Sequence, residues 1–415
     1  MAGSGERLTT GVTALSAASL GERFNVTPAA QSRRAACGIR VAASSQPVAR
    51  EAIAACAAEL RGETYQHIIV FFSSEHDVSV LISELSAAFP DTPASGCSTA
   101  GEVGPLGMTQ GGIVLIAFPE DGFRVLSEVI PGTDQAGVER ASEIARRLKT
   151  QIIVGSNRTA RDNVFALALI DGLSNKEEAL IAAIHWSLDD IELVGGSAGD
   201  GLAFRHTSLI HRNTAVRGGA ILFVIESRAP FAVFKTQNFE PTPIKLVVTA
   251  ADAENRIVYE LNAEPAAREY AAACGLMPND LGPFSFASYP LVVKVGGDYY
   301  CRSIRNMNPD GSLSFFCAID EGLVFTVARP RDMIRSTQET LEQLDRKLGG
   351  IDFVLGFDCI LRRLDSESRQ VRHKFEELYE RFGVTGFHTY GEQFNAMHLN
   401  QTLTGIAFGK TEVNS

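Results

Sequence analysis

The stretch Gly96-Cys-Ser-Thr-Ala-Gly-Glu102 returns near the other end of the chain as Gly386-Phe-His-Thr-Tyr-Gly-Glu392 and, one residue shorter, between them as Gly195-Gly-Ser-Ala-Gly-Asp200. The first and last copies share the spacing G-x-x-T-x-G-E. A pattern that recurs in this way is typical of a chain built from internal repeats. We therefore expect three structural units, one around each glycine loop.

Each glycine loop follows a helical apolar pattern and stands between two short apolar runs that predict strands. The paired strands are predicted at residues 67–72 and 112–118, at 164–170 and 220–225, and at 353–361 and 403–408. In the second unit, Asn175 with Glu178 three residues later predicts a capping box at the start of the helix. The third helix is expected to end at Gly383. The predicted order in every unit is strand, helix, glycine loop, strand.

The sequence between the second and third units has a different pattern of residues. Pro230, Pro241 and Pro243 indicate a boundary, and the following short apolar runs are separated by turn sequences such as Asn308-Pro-Asp-Gly311. We predict an antiparallel sheet here, with helices at residues 265–274 and about 330–348.

These patterns predict an α/β or mixed α+β protein of two domains. A chain of 415 residues exceeds the roughly 250–300 residues at which single cores stop growing. Residues 1–35 are expected to be a flexible N-terminal leader. Residues 36–235 would form a first domain in which two units pack together, and residues 236–412 a second domain in which the third unit closes around the inserted sheet.

The composition excludes several classes of partner. The chain has 38 Lys and Arg against 49 Asp and Glu, a formal charge of −11, whereas binding to nucleic acid or to an anionic membrane needs an excess of positive charge. No apolar run approaches the roughly 20 residues that span a bilayer. The seven cysteines show no close pairs, which argues against a disulfide framework or a zinc ribbon. We expect a cytoplasmic protein with free thiols.

The glycine loops are candidate ligand-binding segments. Glycine lets a backbone approach a ligand closely and leaves amide groups facing outward. An equally weighted alternative is that glycine only closes tight strand connections. The candidate residues are Gly96, Ser98, Thr99, Gly101, Gly195, Gly196, Ser197, Gly199, Tyr390, Gly391 and Met397.

One sequence motif keeps an enzymatic function as an alternative. Residues Gly195-Gly-Ser197-Ala-Gly199 fit the G-x-S-x-G pattern of serine hydrolases, and His206 and His211 follow. However, the pattern after Ser197 alternates like a strand, whereas a nucleophile elbow needs a helix there. A structural glycine turn is favoured, no catalytic residue is assigned, and we expect no enzymatic activity.

Two histidines stand apart from the others because both follow the third helix. His388 and His398 lie near Tyr390, Phe394 and Met397. A neutral imidazole in such a partly apolar setting is able to hold a flat iron cofactor by one axial nitrogen. A packing role is the alternative.

The chain resembles the FIST proteins, intracellular sensors that bind small ligands and signal to a partner. The loops around Gly96–Glu102 and Val194–Gly201 resemble the glycine signatures of the FIST N domain. The segment 257–275 and the terminal Tyr390-Gly-Glu and Asn400-Gln-Thr402 resemble the FIST C domain. The resemblance covers about residues 35–410 and implies that the protein is a sensor.

Within that family, the chain is most similar to the nitric-oxide-sensing haemoproteins called NosP. The similarity rests on several short motifs, among them Phe234-Lys-Thr-Gln237, Val295-Gly-Gly297, Phe316-Cys-Ala-Ile-Asp-Glu-Gly322, Cys359-Ile-Leu-Arg-Arg363 and Met397-His-Leu-Asn-Gln-Thr402. It implies a haem b cofactor, nitric oxide as the signal, and a sensor histidine kinase partner with a cyclic-di-GMP or biofilm output.

The same resemblance implies a histidine-ligated haem. The ligand role is carried over to His398, which stands inside a matching motif, with His388 as the weaker candidate. The alternative is a FIST-type sensor that binds an amino acid or another small metabolite without haem. A homo-oligomer is left open.

Overall fold

The structure is a computed structural model that describes residues 29–132, 135–155, 163–212, 214–295 and 297–410. Most of the predicted leader, residues 1–28, lies outside the described residues, as does Gly296. None of the described helices is long and apolar enough to cross a membrane.

The first unit has the predicted order of elements, preceded by two strands and a helix. Its first strand lies within the span predicted as leader and pairs with the second. The elements are β1 (Gln31–Arg34), β2 (Arg40–Ser44), α1 (Ala49–Glu59), β3 (Tyr65–Ser73), α2 (Val78–Ala88), β4 (Ala94–Thr99), β5 (Glu102–Gly104), β6 (Gly107–Thr109) and β7 (Ile113–Pro119).

The second unit repeats this order, with a strand and a long helix before it. Its elements are β8 (Phe123–Ile130), α3 (Gln135–Val154), β9 (Val164–Ile170), α4 (Glu177–Leu188), β10 (Leu193–Ser197), β11 (Leu209–His211), β12 (Thr214–Val216) and β13 (Ala220–Ser227). The predicted capping box is wrong, because Asn175 takes a left-handed conformation and the helix begins after Lys176 without a side-chain cap. The Glu178 carboxylate instead accepts hydrogen bonds from Arg256 and from the backbone of Ala318.

The next segment contains the predicted antiparallel sheet, which we call sheet 4. After β14 (Phe231–Lys235) come β15 (Phe239–Asp252), β16 (Ile257–Leu261), β17 (Glu264–Pro265), α5 (Ala266–Cys274), a 3-10 turn (Pro278–Asp280), α6 (Pro283–Ser288), β18 (Leu291–Val295), β19 (Asp298–Arg302), β20 (Ile304–Met307), β21 (Leu313–Phe315) and β22 (Val324–Pro330). Sheet 4 has the order β19-β18-β22-β15-β16-β21-β20 and an apolar core of its own, which includes Leu246, Val258, Tyr270 and Phe325.

The third unit follows sheet 4. Its elements are α7 (Met333–Leu348), β23 (Ile351–Cys359), α8 (Ile360–Ser368), α9 (Arg372–Phe382), β24 (Val384–Thr389), β25 (Glu392–Phe394), β26 (Met397–Leu399) and β27 (Leu403–Gly409). Strand β23 ends two residues earlier than predicted, because α8 starts at Ile360. Gly383 ends α9 in the left-handed conformation, as predicted.

The three units exchange hairpins in a cycle. The hairpin β5–β6 of the first unit pairs with β24 of the third, β25–β26 of the third pairs with β10 of the second, and β11 of the second pairs with β4 of the first. Sheet 1 therefore has the order β1-β2-β7-β3-β4-β11-β12, sheet 2 the order β26-β25-β10-β9-β13-β8, and sheet 3 the order β14-β27-β23-β24-β5-β6. Each sheet contains one parallel strand pair, β3–β4, β9–β10 or β23–β24.

One apolar core joins all three sheets. The Phe71 ring of sheet 1 lies 4.5 Å from the Phe387 ring of sheet 3, and the Phe165 ring of sheet 2 lies 5.8 Å from the Phe408 ring of sheet 3. Strands β9 and β27 are buried along their whole length, which explains their continuous apolar sequences. The domain boundary at residues 235 and 236 stays a prediction, but strands from both sides of it share sheets and core.

Candidate functional site

The three glycine loops meet and bond to one another through their backbones. Ser98, Ser197 and His388 occupy equivalent positions in the three loops. The backbone N of each donates a hydrogen bond to a neighbouring unit, and the backbone O of each accepts one from that unit. The six bonds, donor first, are Ala100 N to His388 O (2.9 Å), His388 N to Gly101 O (2.7 Å), Tyr390 N to Ser197 O (3.3 Å), Ser197 N to Gly391 O (2.8 Å), Gly199 N to Ser98 O (3.0 Å) and Ser98 N to Ser208 O (2.8 Å). We call the residues that form these six bonds the loop ring.

The first glycine of each copy is needed for close packing of parallel strands. Gly96, Gly195 and Gly386 stand opposite Val70, Ala168 and Gly356 in the parallel pairs. A Cβ atom at any of the three would overlap the backbone carbonyl oxygen of its partner. These glycines therefore shape the fold, and no ligand is required to explain them.

The carboxyl groups that end the first and third copies of the motif hold their loops in place. The Glu102 carboxylate accepts hydrogen bonds from Thr99 Oγ1 at 2.6 Å and from the Gly112 backbone N at 2.9 Å, and Glu392 accepts from the Thr402 backbone N at 3.1 Å. Burial raises the pKa of Glu102 to about 7 and that of Glu392 well above its usual value.

The shorter loop uses its carboxylate differently. Asp200 accepts backbone hydrogen bonds from Phe204, Arg205 and His206 at 2.8–2.9 Å. The Tyr390 hydroxyl donates to the same carboxylate and accepts from the Asp200 backbone N at 3.1 Å. The segment 200–206 is thereby folded over the end of the loop ring.

Three aromatic rings cover this end of the loop ring. The Tyr390 ring centre lies 4.8 Å from that of Phe204 and 6.0 Å from that of Phe316, which directly follows β21 of sheet 4. Phe204 and Phe316 are 5.6 Å apart. We call Phe204, Phe316 and Tyr390 the aromatic junction. It lies where the carboxyl ends of the three parallel strand pairs converge.

His398 lies beside the loop ring, on β26. It is buried, its Nδ1 is 3.1 Å from Gln393 Nε2, and its Nε2 has no hydrogen-bond partner among the residues that the structure describes. Burial lowers the pKa of His398 to about 4, and the nearby Glu178 only partly offsets this. The imidazole is therefore neutral near pH 7.

The surroundings of His398 do not fit a haem in this arrangement. A Cβ atom placed on Gly391 would overlap the imidazole ring, so the ring packs directly on the loop backbone. Four cavities of 330–820 Å³ lie elsewhere and are lined by other residues. Among the described residues, no group of three or more His, Cys, Asp or Glu side chains is placed to hold a metal ion.

His388 lies in a separate buried polar cluster. Its Nδ1 is 3.7 Å from Asp358 Oδ2, and within the described part of the chain neither ring nitrogen has a hydrogen-bond partner. Asp358 is engaged by Arg362 at 2.6 Å and by the Tyr379 hydroxyl at 2.8 Å. Burial, reinforced by Arg363 and Arg362, lowers the pKa of His388 well below its usual value.

Ser197 does not stand on a nucleophile elbow. It is buried at the end of β10, and its Oγ accepts a hydrogen bond from Gln393 Nε2 at 3.0 Å. His211 contacts Ser127 Oγ at 3.1 Å instead, and His206 is exposed. No helix follows the serine, so the geometry of a serine hydrolase is not present at this residue.

The remaining predicted residues line the loop ring. Thr99 bonds Glu102, and a Cβ atom on Gly199 would press on Ala100 and Tyr390. Gly196 lies under the Phe387 ring. Met397 is only half-buried and pairs with Phe394 across the β25–β26 hairpin.

Sequence reasoning missed the contacts between sheet 4 and the elements around the loop ring. Arg256, in the turn before β16, forms ion pairs with the buried Glu177 at 2.7 Å and the half-buried Glu178 at 2.5 Å, both on α4. Arg302 of β19 donates to the His398 backbone O at 3.2 Å. Nothing in the spacing of these residues reveals a contact, because they come from segments far apart in the chain.

Comparison with known proteins identifies the family. The FIST N domain matches residues 66–264 and the FIST C domain matches residues 266–395. An uncharacterised protein of Methanocaldococcus jannaschii is 27% identical over 177 residues, which are 42% of this chain and 34% of that protein, so the chain spans about a third of this relative's length. FIST domains have a sensory, small-molecule-binding role. With both domain families matched in order over residues 66–395, the chain belongs to the FIST proteins.

Proposed function

We propose that this chain is a cytoplasmic sensor whose small-molecule ligand binds at the aromatic junction and displaces sheet 4 relative to the loop ring. One observation carries the proposal: the carboxyl ends of three parallel strand pairs converge on a point that a separate sheet covers. In open α/β sheets, ligands bind outside the carboxyl ends of the strands.

Sheet 4 has the features of a body that moves as a unit. It has its own apolar core, and the backbone N of Arg331 bonds the backbone O of Asn238 at 2.7 Å, so the chain enters and leaves it at one place. The two connections lie side by side at the ends of the neighbouring strands β15 and β22, and two adjacent connections form a natural hinge. Its contacts with the three-sheet core include the ion pair of Arg256 with Glu177 on α4, the hydrogen bond of Arg302 to the His398 backbone on β26, and the ring of Phe316 against Tyr390.

Hydrogen exchange during a metabolite screen tests this proposal. Metabolites that raise the melting temperature should also change amide protection in segment 200–206 and around Phe316. The variant Phe316→Ala should lose this response, whereas Phe284→Ala, a matched change at an exposed phenylalanine, should keep it. Ligands that stabilise the protein and change protection only elsewhere would refute the proposed location.

Haem binding with nitric-oxide sensing is the second candidate. The observation in its favour is the buried His398 Nε2 without a partner, while the packing of that ring on Gly391 opposes it. An absorption spectrum of the protein with added haem tests it. A Soret band that shifts with nitric oxide and disappears in His398→Ala but persists in His388→Ala would support it, and absence of haem uptake would exclude it.

A sensor histidine kinase is the partner that we propose from the resemblance, with a cyclic-di-GMP or biofilm output. The test measures autophosphorylation of a purified histidine kinase from the same organism, with and without the sensor and its ligand. A ligand-dependent change in the rate supports the pairing. An unchanged rate for every such kinase would remove this part of the proposal.

We further propose that the chain has no catalytic activity of its own. The buried Ser197 hydroxyl, which is bonded to Gln393 and has no histidine partner, supports this. Ester hydrolysis that is abolished by Ser197→Ala but not by Ser208→Ala would contradict it.

A further inference from the structure

Sheet 4 has two faces, and the second is partly open to solvent. The first face holds the apolar core of the sheet, which includes Leu246 and Phe325. Because side chains alternate between the faces of a strand, a row across four neighbouring strands marks the second face: Lys245, Thr326, Val292 and Cys301. The row is buried at Val292 and Cys301, whereas Lys245 at its other end is exposed.

The next row on the same face is more exposed. Residues two positions further along each strand share this face: Val247 lies opposite Val324, and Lys294 lies opposite Tyr299. Val324 is 47% exposed and Lys294 is exposed, while Val247 and Tyr299 are half-buried. We call Lys245, Lys294, Tyr299 and Val324 the lysine face. It combines positive charge with apolar surface on one side of a sheet.

Both lysines of residues 239–330 lie over the ring of Tyr299. The Nζ of Lys245 is 5.9 Å from the ring centre and the Nζ of Lys294 is 5.7 Å from it, which is cation–π distance. Among the residues that the structure describes, neither lysine forms an ion pair; the ion pairs of this part of the chain are made by arginines. Two positive charges held at one ring without a counter-charge favour an anionic partner.

The lysine face ends at an edge strand beside the hinge. Strand β19 is the last strand on this side of sheet 4, and the backbone O of Tyr299 accepts a hydrogen bond from Gln237 Nε2 at 2.9 Å. The edge of β19 thus accepts a donor from outside the sheet. Gln237 directly precedes Asn238 at the hinge, and Lys235 adds a third ammonium 4.8 Å from the centre of the Tyr300 ring on the same strand. Exposed strand edges bind extended peptides through main-chain hydrogen bonds.

From these features we propose that the lysine face and the edge of β19 form a docking surface for an acidic, partly apolar segment of a partner protein. Carboxylates of the segment pair with Lys245 and Lys294, its apolar side chains cover Val324 and the Tyr299 ring, and its backbone takes the place of Gln237 at the edge. A nucleic acid is disfavoured by the formal charge of −11 on the whole chain. Because the surface adjoins the hinge, movement of sheet 4 would change its affinity for the partner; this coupling rests on the proposed function, whereas the docking surface does not.

A short fluorescent peptide of alternating Glu and Val is a suitable probe, with the same peptide carrying Gln in place of Glu as its uncharged counterpart. Fluorescence anisotropy with the full chain measures binding, and hydrogen exchange of β19 locates it. The Glu peptide should bind more tightly than the Gln peptide, and added salt should weaken it. The double variant Lys245→Glu with Lys294→Glu should weaken the Glu peptide by about 10-fold or more.

A variant of equal net charge is the matched control. Lys374→Glu with Lys410→Glu changes two exposed lysines of the third unit and should leave the affinity unchanged. Melting temperatures show whether each variant is folded. The pair Lys245→Gln with Lys294→Gln, which removes the two charges without reversing them, gives the same readout if the double Glu variant does not fold.

The outcomes separate this inference from the proposed function. If the Glu peptide does not bind, if the Gln peptide binds equally well, or if both double variants weaken binding to the same extent, the docking surface is wrong. Tighter binding of single-stranded oligo-dT that is lost in Lys245→Glu with Lys294→Glu would show a nucleic-acid surface instead. A metabolite that changes protection at the aromatic junction would still support the sensor in each of these cases. If the peptide docks as expected but no metabolite alters its affinity, the docking surface stands and its coupling to sensing fails.

Discussion

At the scale of single residues, the glycine loops depend on close contact between strands. Gly195 faces the Ala168 carbonyl, and this backbone atom has no freedom to move away from an added Cβ. We expect Gly195→Ala to lower the free energy of unfolding by about 3 kcal/mol or more, at the upper end of the cost of overpacking. Denaturant titration measures it. Gly104→Ala, where a Cβ meets only ordinary contacts, is the control, and equal losses would contradict the interpretation.

The buried carboxyl of Glu102 makes stability depend on pH. Burial raises its pKa from 4.5 to about 7, so the folded state keeps a proton that the unfolded state has lost between these values. Stability should therefore fall as pH rises from about 4.5 to about 7, by at most about 1.4 kcal/mol per pH unit for this group. Glu102→Gln should reduce this slope, and Glu254→Gln, at an exposed position, should not. An unchanged slope in Glu102→Gln would show that another group dominates.

The glycines and carboxylates of the repeated loops were visible in the sequence because the fold itself needs them. The sequence could not distinguish this role from ligand binding, since both place glycine at a strand end. Arg256 gave no signal, because partners that are distant in the chain decide what an arginine does. Of the aromatic junction, Tyr390 and Phe316 stand in motifs that the sequence marked, whereas Phe204 does not.

At the scale of elements, Arg256 connects sheet 4 to the start of α4. Its guanidinium and the Glu177 carboxylate are almost completely buried. Arg256→Met should destabilise the protein by about 3–5 kcal/mol, because two carboxylates lose their counter-charge. Part of the loss should be recovered in the double variant with Glu177→Gln. Thermal unfolding measures both.

An exposed ion pair of the same sheet is the matched control for this change. Arg268 and Glu264 are 3.6 Å apart and largely exposed, so Arg268→Met should cost less than about 1 kcal/mol. Similar losses for Arg256→Met and Arg268→Met would show that the buried pair does not hold the two elements together.

Most helices and strands followed from periodicity, and the exceptions have physical reasons. The predicted helix at 265–274 is α5 (Ala266–Cys274). Helix α8 was missed because Ile360 and Leu361 continue the apolar run of β23. The hairpins β5–β6, β11–β12 and β25–β26 were missed because each strand has only three residues, too few to show alternation.

At the scale of the whole molecule, the exchange of hairpins makes the two FIST segments interdependent. Residues 1–235 alone would leave β10 paired only with β9, without β25, and leave β5–β6 without the strand that it pairs with. We expect this fragment to unfold without cooperativity and the two fragments 1–235 and 236–415 to form one complex when co-expressed. Calorimetry and size-exclusion chromatography measure this. Cooperative unfolding of the isolated first fragment would contradict it.

Sheet 4, in contrast, should be separable. Because Asn238 and Arg331 are hydrogen-bonded neighbours, replacing residues 239–330 with a short Gly-Ser linker should leave the three-sheet core folded and Tyr390 exposed. Circular dichroism and tyrosine hydrogen-exchange protection at the loop ring report the result. A deletion variant without cooperative unfolding would show that sheet 4 belongs to the folding unit of the core.

The pairing of Glu102 with Phe387 has a consequence for synthesis in the cell. A ribosome releases the first hairpin long before it makes the strand that receives it, so the nascent chain carries unpaired strand edges for most of its translation. Such edges are prone to association with other chains. The core is thus expected to close only after translation is nearly complete, and chaperones that shield nascent strands should determine how much of this protein reaches its folded state.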